Sequence, residues 1–418
     1  MEGQAFKEFK YGWPVVGSSA IGIGLGMSPL PFYTIGVFVA PFMQEFGWGV
    51  ADVMLALSIF SFAAFFTSPL IGIITDRIGV RKTVLLSILT FGLCFMAFSL
   101  NNGSRGLYLS LWVLLAFLGS GTLPITWTRA INKWFHKKRG LALGISLLGT
   151  GLFGAFAKIY ASWLIENYGW KMAYVGLALL PLLISLPLAF FLFHDTDDPK
   201  VSEKVKRMKE DLPYLKEAGD STEKEGFTLV EALKDVKFYL LALSFLPISF
   251  AIGGPIPNFE KILDTKGFDL TDAVYLASIV GYSVIVGRLL GGYLLDKLWA
   301  PGVAFTFFII PVISCYLFQQ GDMTYSSAAM AIAVLGFSAG VEYDLMAFLV
   351  SKYFGLKHYS SIYGTLYGFF AIGAGFGPWI FGKSFAATGS YDSIFGYAMI
   401  AFVAGALPLL FLGKYRYD

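Results

Sequence analysis

Hydrophobic residues run through this chain in twelve blocks separated by short polar stretches. The blocks fall at 13–41, 51–74, 83–100, 107–131, 140–165, 170–193, 237–261, 271–295, 301–319, 323–351, 359–384 and 391–413. A helix needs about 20 apolar residues to cross roughly 30 Å of hydrocarbon. The pattern predicts an all-α membrane protein with twelve transmembrane helices, here spans one to twelve in chain order. The longest polar stretch, 194–236, is highly charged and contains Pro199, Pro213 and Gly219. It reads as a hydrophilic cytoplasmic connector with short surface helices. It separates two pseudo-symmetric six-helix bundles, 1–193 and 237–418. Residues 1–12 lead straight into span one, so no cleavable leader is expected.

A few charged residues interrupt this pattern. Arg288 stands alone in VGYSVIVGRLLGGYLLD at 280–296. Its guanidinium stays protonated in a protein. A charge at the centre of a spanning helix costs about 3 kcal/mol, and such residues usually face a cavity and mark a substrate path. Arg288 lies eight residues, about 12 Å of helix, from Asp296 at the span's end. It can bind one carboxylate through two hydrogen bonds; the alternative is a structural ion pair between helices. Span ten supplies Glu342 and Asp344 at a similar depth. Residues two apart on a helix point in different directions. One of the two is therefore expected to face the cavity as the proton-coupling acid, with Glu342 preferred, because a carboxylate in low dielectric takes up a proton more readily.

Other candidates line the same depth. Lys158, in the outer half of span five, either attracts an anion or snorkels to the interface. Span one contains Pro29 and Pro31, whose missing backbone hydrogen bonds are tolerated beside a cavity, and Tyr33, whose phenol can donate to a carboxylate. Trp127 with Thr126 in span four, and Tyr367 in span eleven, are further lining candidates, although an aromatic in a span is more often packing than ligand.

Composition agrees with the pattern. The chain of 418 residues is 56% hydrophobic and 14% charged, against roughly 25% charged in soluble domains. The net charge is only +3, and the basic residues follow topology instead of forming a nucleic-acid face. With both termini cytoplasmic, Arg105, Lys171, Lys261, Lys266 and Lys383 lie outside, Lys158 and Arg288 lie within spans, and the remaining 24 of 31 Lys and Arg lie inside. That excess fixes the orientation of a multi-pass protein of the cell inner (plasma) membrane. Cys94 and Cys315 fall within apolar spans and read as packing residues. The histidines His136, His194 and His358 lie in or beside loops. There is no Cys/His metal spacing, phosphate loop or nucleophile motif, so neither enzyme chemistry, metal nor cofactor is expected.

The chain repeats itself at an offset of about 220 residues. GIITDRIGVRK at 72–82, after span two, and GYLLDK at 292–297, after span eight, share Gly-x-x-x-Asp-basic. Lys133, Trp134 and Phe135 after span four match Lys352, Tyr353 and Phe354 after span ten. Parallel repeats of six helices are a transporter architecture with its site between the halves at mid-membrane. Asp76, Arg77 and Arg81, with Arg129 and Asp296, read as a cytoplasmic gate in which a carboxylate pairs across the halves or caps a helix N-terminus.

The 72–82 stretch resembles the G-x-x-x-D-R-x-G-R-R/K signature of the major facilitator superfamily, with Val80 interposed. NKWF at 132–135 followed by KRGLALG at 138–144 is similar to its monocarboxylate transporter and oxalate/formate antiporter branch, as is a lone arginine in span eight. The resemblance implies that Arg288 is the carboxylate contact. In that branch an aspartate often stands one turn before this arginine and a lysine lies in span one; here Val284, and Pro31 with Tyr33, occupy those places. The expected protein is a secondary transporter for a small organic monocarboxylate and a proton, functional as a monomer in the lipid bilayer. An organic anion exchanger, or uptake of a zwitterion such as a betaine or amino acid, is the alternative.

Overall fold

The computed structural model describes residues 6–212, 214–217 and 226–417. Among them the only β contact is an isolated antiparallel bridge between Gly226 and Gly355; everything else regular is helix. Nine described stretches are long and apolar enough to cross a membrane, and ten if the bent pair Arg105–Leu118 and Ser120–Trp134 is one crossing. One of them, Arg139–Leu192, is 54 residues long, about twice what a crossing needs, and Gly169 breaks it at φ 80°. Helix Tyr359–Thr388 has 30 residues but is diluted by Gly, Ser and Tyr. The first is long enough for two crossings and the second for one.

Spans one, four, seven and ten are all discontinuous. Span one runs Lys7–Gly24, turns, and restarts as Pro29–Thr34. Span four bends by 52° before Pro124–Trp134. Span seven, Val236–Gly253, breaks before the short turn Ile256–Asn258. Span ten is Tyr325–Ala339 followed by Glu342–Phe354. Gly or Pro stands at each break, where either the ring or the freed dihedral interrupts the ladder. In a membrane the released backbone groups must be satisfied by protein or by a water-lined cavity.

The halves are joined by spans two and eleven and by spans five and eight. A Cβ on Gly72 would lie 2.1 Å from the Ser360 carbonyl oxygen, and one on Gly364 would lie 2.2 Å from that of Ser68. Gly140 and Gly292 meet reciprocally: a Cβ on either would lie within 2.6 Å of the other's carbonyl oxygen. Only residues without side chains permit backbones this close.

Span one begins earlier than the hydrophobic pattern suggests. Its first turn is pinned by Phe9, whose ring centroid lies 4.8 Å from that of Phe135, and by Gly12, which sits directly on the Phe135 ring. Residues 194–212 of the connector lie against the first bundle, and residues 226–235 against the second, where the Phe227 N–H donates to the Phe354 carbonyl at 2.8 Å. Lys133 pairs with Asp195 and Asp197 at 3.3 and 2.5 Å, Trp134 Nε1 donates to the His194 carbonyl at 2.9 Å, and helix Ser202–Asp211 buries Met208. Pro213 and Gly219 lie outside the described residues.

Candidate functional site

Arg288 lies where spans five, eight and ten converge. It projects from helix Leu270–Leu295 and is 2% exposed. Its Nε donates to the Gly340 carbonyl at 2.7 Å. That oxygen is available because span ten breaks there. Its Nη1 donates to Thr150 Oγ1 at 2.5 Å and to the Leu147 carbonyl. The guanidinium of the second half is thus held by two acceptors of the first. None of its hydrogen-bond partners is a carboxylate.

The acids of span ten lie in the first turn of Glu342–Phe354, where the helix N-terminus favours negative charge. Asp344 Oδ2 is 3.9 Å from Arg288 Nε, and neither carboxyl oxygen of Asp344 makes a hydrogen bond. Glu342 is also buried, and its Oε1 has no partner. Of the two acids, Asp344 has the ion-pair distance to Arg288, because the break at Gly340 starts a new helix and resets which residue faces span eight.

Tyr33 is 41% exposed, and its ring lies over Gly154, where a Cβ would come within 2.5 Å. Tyr367 is brought to the same region. Its ring stacks with that of Tyr343 at 5.9 Å, both rings pack on Phe370, and both phenols lie beside the Ser28 hydroxyl.

Two lining candidates are placed elsewhere. Trp127 is fully buried; its Nε1 donates to the Thr122 carbonyl at 3.2 Å, and its ring packs on Gly22 and Phe193. It is a wedge inside the first bundle. Lys158 is exposed and has no ion pair among the described residues, as the snorkelling alternative requires. Sequence reasoning missed Thr150, Ser28 and Tyr343. Thr150 stood between Gly149 and Gly151, and Tyr343 between the two acids, but only the fold brings Thr150 to Arg288 and Tyr343 to Tyr367.

At the end bearing the repeats, each motif aspartate caps a helix of the opposite half. Asp76 accepts from the backbone N–H of Ser360 at 3.2 Å and of Ser361 at 2.8 Å and from the Ser361 hydroxyl, and it forms an ion pair with Arg129. Asp296 accepts from the N–H of Gly140 at 2.6 Å and of Leu141 at 3.0 Å. Burial pushes the Asp296 carboxyl up to about 6, partly offset by the Leu141 and Gly140 N–H groups. Arg77 and Arg81 of the motif do not join this contact. Arg81 binds Asp198 at 3.3 Å and the Phe190 carbonyl at 2.6 Å, fastening the connector, and Arg77 is exposed.

Two repeated bundles, broken at a polar centre and sealed at one end, are the build of a solute carrier. The chain belongs to the Major Facilitator Superfamily, whose family model matches residues 21–378. It is 27% identical over 364 residues to an MFS-type transporter of Gibberella moniliformis, covering 85% of this chain and 81% of that one. It is 25% identical over 411 residues to monocarboxylate transporter 13 of Rattus norvegicus, covering 96% and 89%. In fold it is similar to the human organic anion transporter MFSD10, with a TM-score of 0.70 at 16% identity, covering 96% of this chain and 99% of that one. The protein is therefore a multi-pass membrane transporter and not an enzyme.

Proposed function

We propose that the protein is a proton-coupled carrier of a small organic monocarboxylate, acting as a monomer in the inner (plasma) membrane with both termini cytoplasmic. The observation that carries this reading is a buried guanidinium held by neutral acceptors beside two carboxyls with unsatisfied oxygens. Similarity to monocarboxylate transporter 13 supports the substrate class.

The coupling follows from charge. Buried charges must be compensated. In the empty site, neutrality is reached when Arg288 faces ionised Asp344 and Glu342 holds a proton. A substrate carboxylate takes the fork of Arg288, and neutrality then requires a proton on Asp344. Substrate and proton load together and leave together. To accept two carboxylate oxygens, the fork gives up Leu147 and Thr150, and this releases span eight from span five. Binding in this way loosens one contact between the halves, and the 1–193 and 237–418 bundles rock about the site. Different affinity in the two facing states turns binding into transport.

The test is uptake by reconstituted protein of lactate, pyruvate, acetate and benzoate, with and without an imposed proton gradient. Expected is gradient-driven accumulation of at least one acid, abolished by Arg288→Ala. Asp344→Asn should retain counterflow but lose the response to the gradient, while Glu342→Gln keeps it. Counterflow of wild type that ignores pH would instead make it an anion exchanger. The aromatic pair Tyr343 and Tyr367 with a second acid favours one other reading, a zwitterion held partly by cation–π contact. Inhibition by a betaine but not by lactate would establish that reading.

A further inference from the structure

A second buried guanidinium lies between the halves and plays no part in the central site. Arg139 opens helix Arg139–Leu147 and is almost fully buried. Its Nε donates to the Phe135 carbonyl at 3.2 Å, its Nη2 to the Asn132 carbonyl at 3.4 Å, and its Nη1 to Ser351 Oγ of span ten at 3.2 Å. Among the described residues no carboxylate comes within 4 Å of it. The acids in its neighbourhood are Glu8 and Asp296, and both are engaged elsewhere. Glu8 accepts from the N–H groups of His136, Lys137 and Lys138 and from the Tyr214 hydroxyl. Asp296 accepts from Gly140 and Leu141.

Beside it lies an amide with nothing to hold. Asn132 is fully buried, and neither its Oδ1 nor its Nδ2 makes a hydrogen bond. It approaches the Tyr359 phenol of span eleven, whose hydroxyl also pairs with Thr128 Oγ1 at 3.0 Å. An unsatisfied buried amide costs about 1–3 kcal/mol. Such groups persist where another state of the protein uses them.

Both side chains belong to the first half, and the groups covering them, Ser351 and Tyr359, belong to the second. Arg139 lies eight residues before Leu147, about 12 Å of helix from Arg288 toward the sealed end. When the halves part there, Arg139 loses Ser351, Asn132 loses its cover, and an uncompensated cation with an adjacent amide donor faces the vestibule. We propose that Arg139 and Asn132 form a second carboxylate-binding station, formed only when the repeat-bearing end opens, that receives the substrate from Arg288 before it leaves. This rests on the carboxylate reading of the central site and adds a residue pair and a place to it.

The experiment is counterflow in reconstituted vesicles of full-length protein, with the probe being whichever of lactate, pyruvate, acetate and benzoate wild type carries. Half-saturation is measured separately on each face, the opposite face being saturated. Arg139→Gln and Asn132→Ala are each expected to raise half-saturation at the cytoplasmic face about tenfold, the loss of one charge-assisted hydrogen bond, and to leave that at the outer face within twofold. Asn132→Asp, which adds a repelling charge, should raise it further. If Arg139→Gln does not fold, the two Asn132 variants decide. Unchanged half-saturation at both faces, or equal changes at both, overturns the station while wild-type counterflow leaves the central reading intact. Absence of carboxylate counterflow in wild type removes the central reading and the station with it.

Discussion

Arg288 is held by three acceptors that a carboxylate can replace, and that property sets it apart from a structural ion-pair arginine. The fork geometry matters as much as the charge, so Arg288→Lys should not rescue transport: a lysine offers a point charge where two parallel N–H bonds are needed. The prediction fails if the lysine variant keeps more than about a tenth of wild-type uptake. Tyr33 and Trp127 form a contrasting pair. Tyr33→Phe removes one hydroxyl from a partly exposed side chain and should raise half-saturation several-fold with thermal stability unchanged. Trp127→Ala empties a filled niche against Gly22 and Phe193; large aromatic-to-alanine changes in cores cost about 3–5 kcal/mol, so it should lower the melting temperature and leave the half-saturation of the folded fraction where it was. At this scale the sequence made Arg288 legible because a lone charge in an apolar run is costly wherever it points. It could not separate Tyr33 from Trp127, since both are aromatics at mid-span and only packing decides which one is buried.

The interrupted spans one and ten help to position the site beside spans five and eight, and the legibility of their breaks was uneven. Two prolines announced the break in span one. The break in span ten rested on Gly340 alone, one glycine among 47, and it decided that Asp344 and not Glu342 meets Arg288 and that a carbonyl was free to hold the guanidinium. The repeat at 72–82 and 292–297 was legible as a pattern. Which residues in it touch the other half was not, because Arg77 and Arg81 share their charge with Arg129 but not their direction. The close helix pairs give an element-scale prediction. At Gly140 a Cβ would lie 2.4 Å from the Gly292 carbonyl oxygen, a distance that backbone cannot accommodate without moving. Gly140→Val should therefore force spans five and eight apart and shift the carrier toward opening at that end. Hydrogen exchange of residues 139–147 would report it as a faster rate, whereas an unchanged rate would mean that the contact is not needed for closure.

For the whole molecule, the two motif aspartates occupy equivalent places but do not act alike. Asp76 has a cationic partner in Arg129 as well as two backbone N–H groups. Asp296 has its two N–H groups and burial that pushes its carboxyl up to about 6. Once that end opens, Asp296 meets water and returns toward the ordinary value of about 3.9. The closed form then binds the proton more tightly than the open form. Falling pH between about 7 and 5 favours closure through this group, and rising pH favours opening. Asp76, with its permanent cation, is the constant part of the latch, and Asp296 is the adjustable part. Hydrogen exchange of residues 359–366 and 139–147, corrected for the intrinsic effect of pH, separates them. Asp76→Asn should speed exchange at both pH 7 and pH 5, because a neutral amide cannot match a charge-assisted contact. Asp296→Asn resembles the protonated acid, so it should hold the end closed at pH 7 and abolish the difference between the two pH values. Asp296→Ala leaves the Gly140 and Leu141 N–H groups unpaired and should open the end at both. If Asp296→Asn instead loosens the protein as much as Asp76→Asn does, the two halves carry equal locks and the asymmetry argued here is wrong.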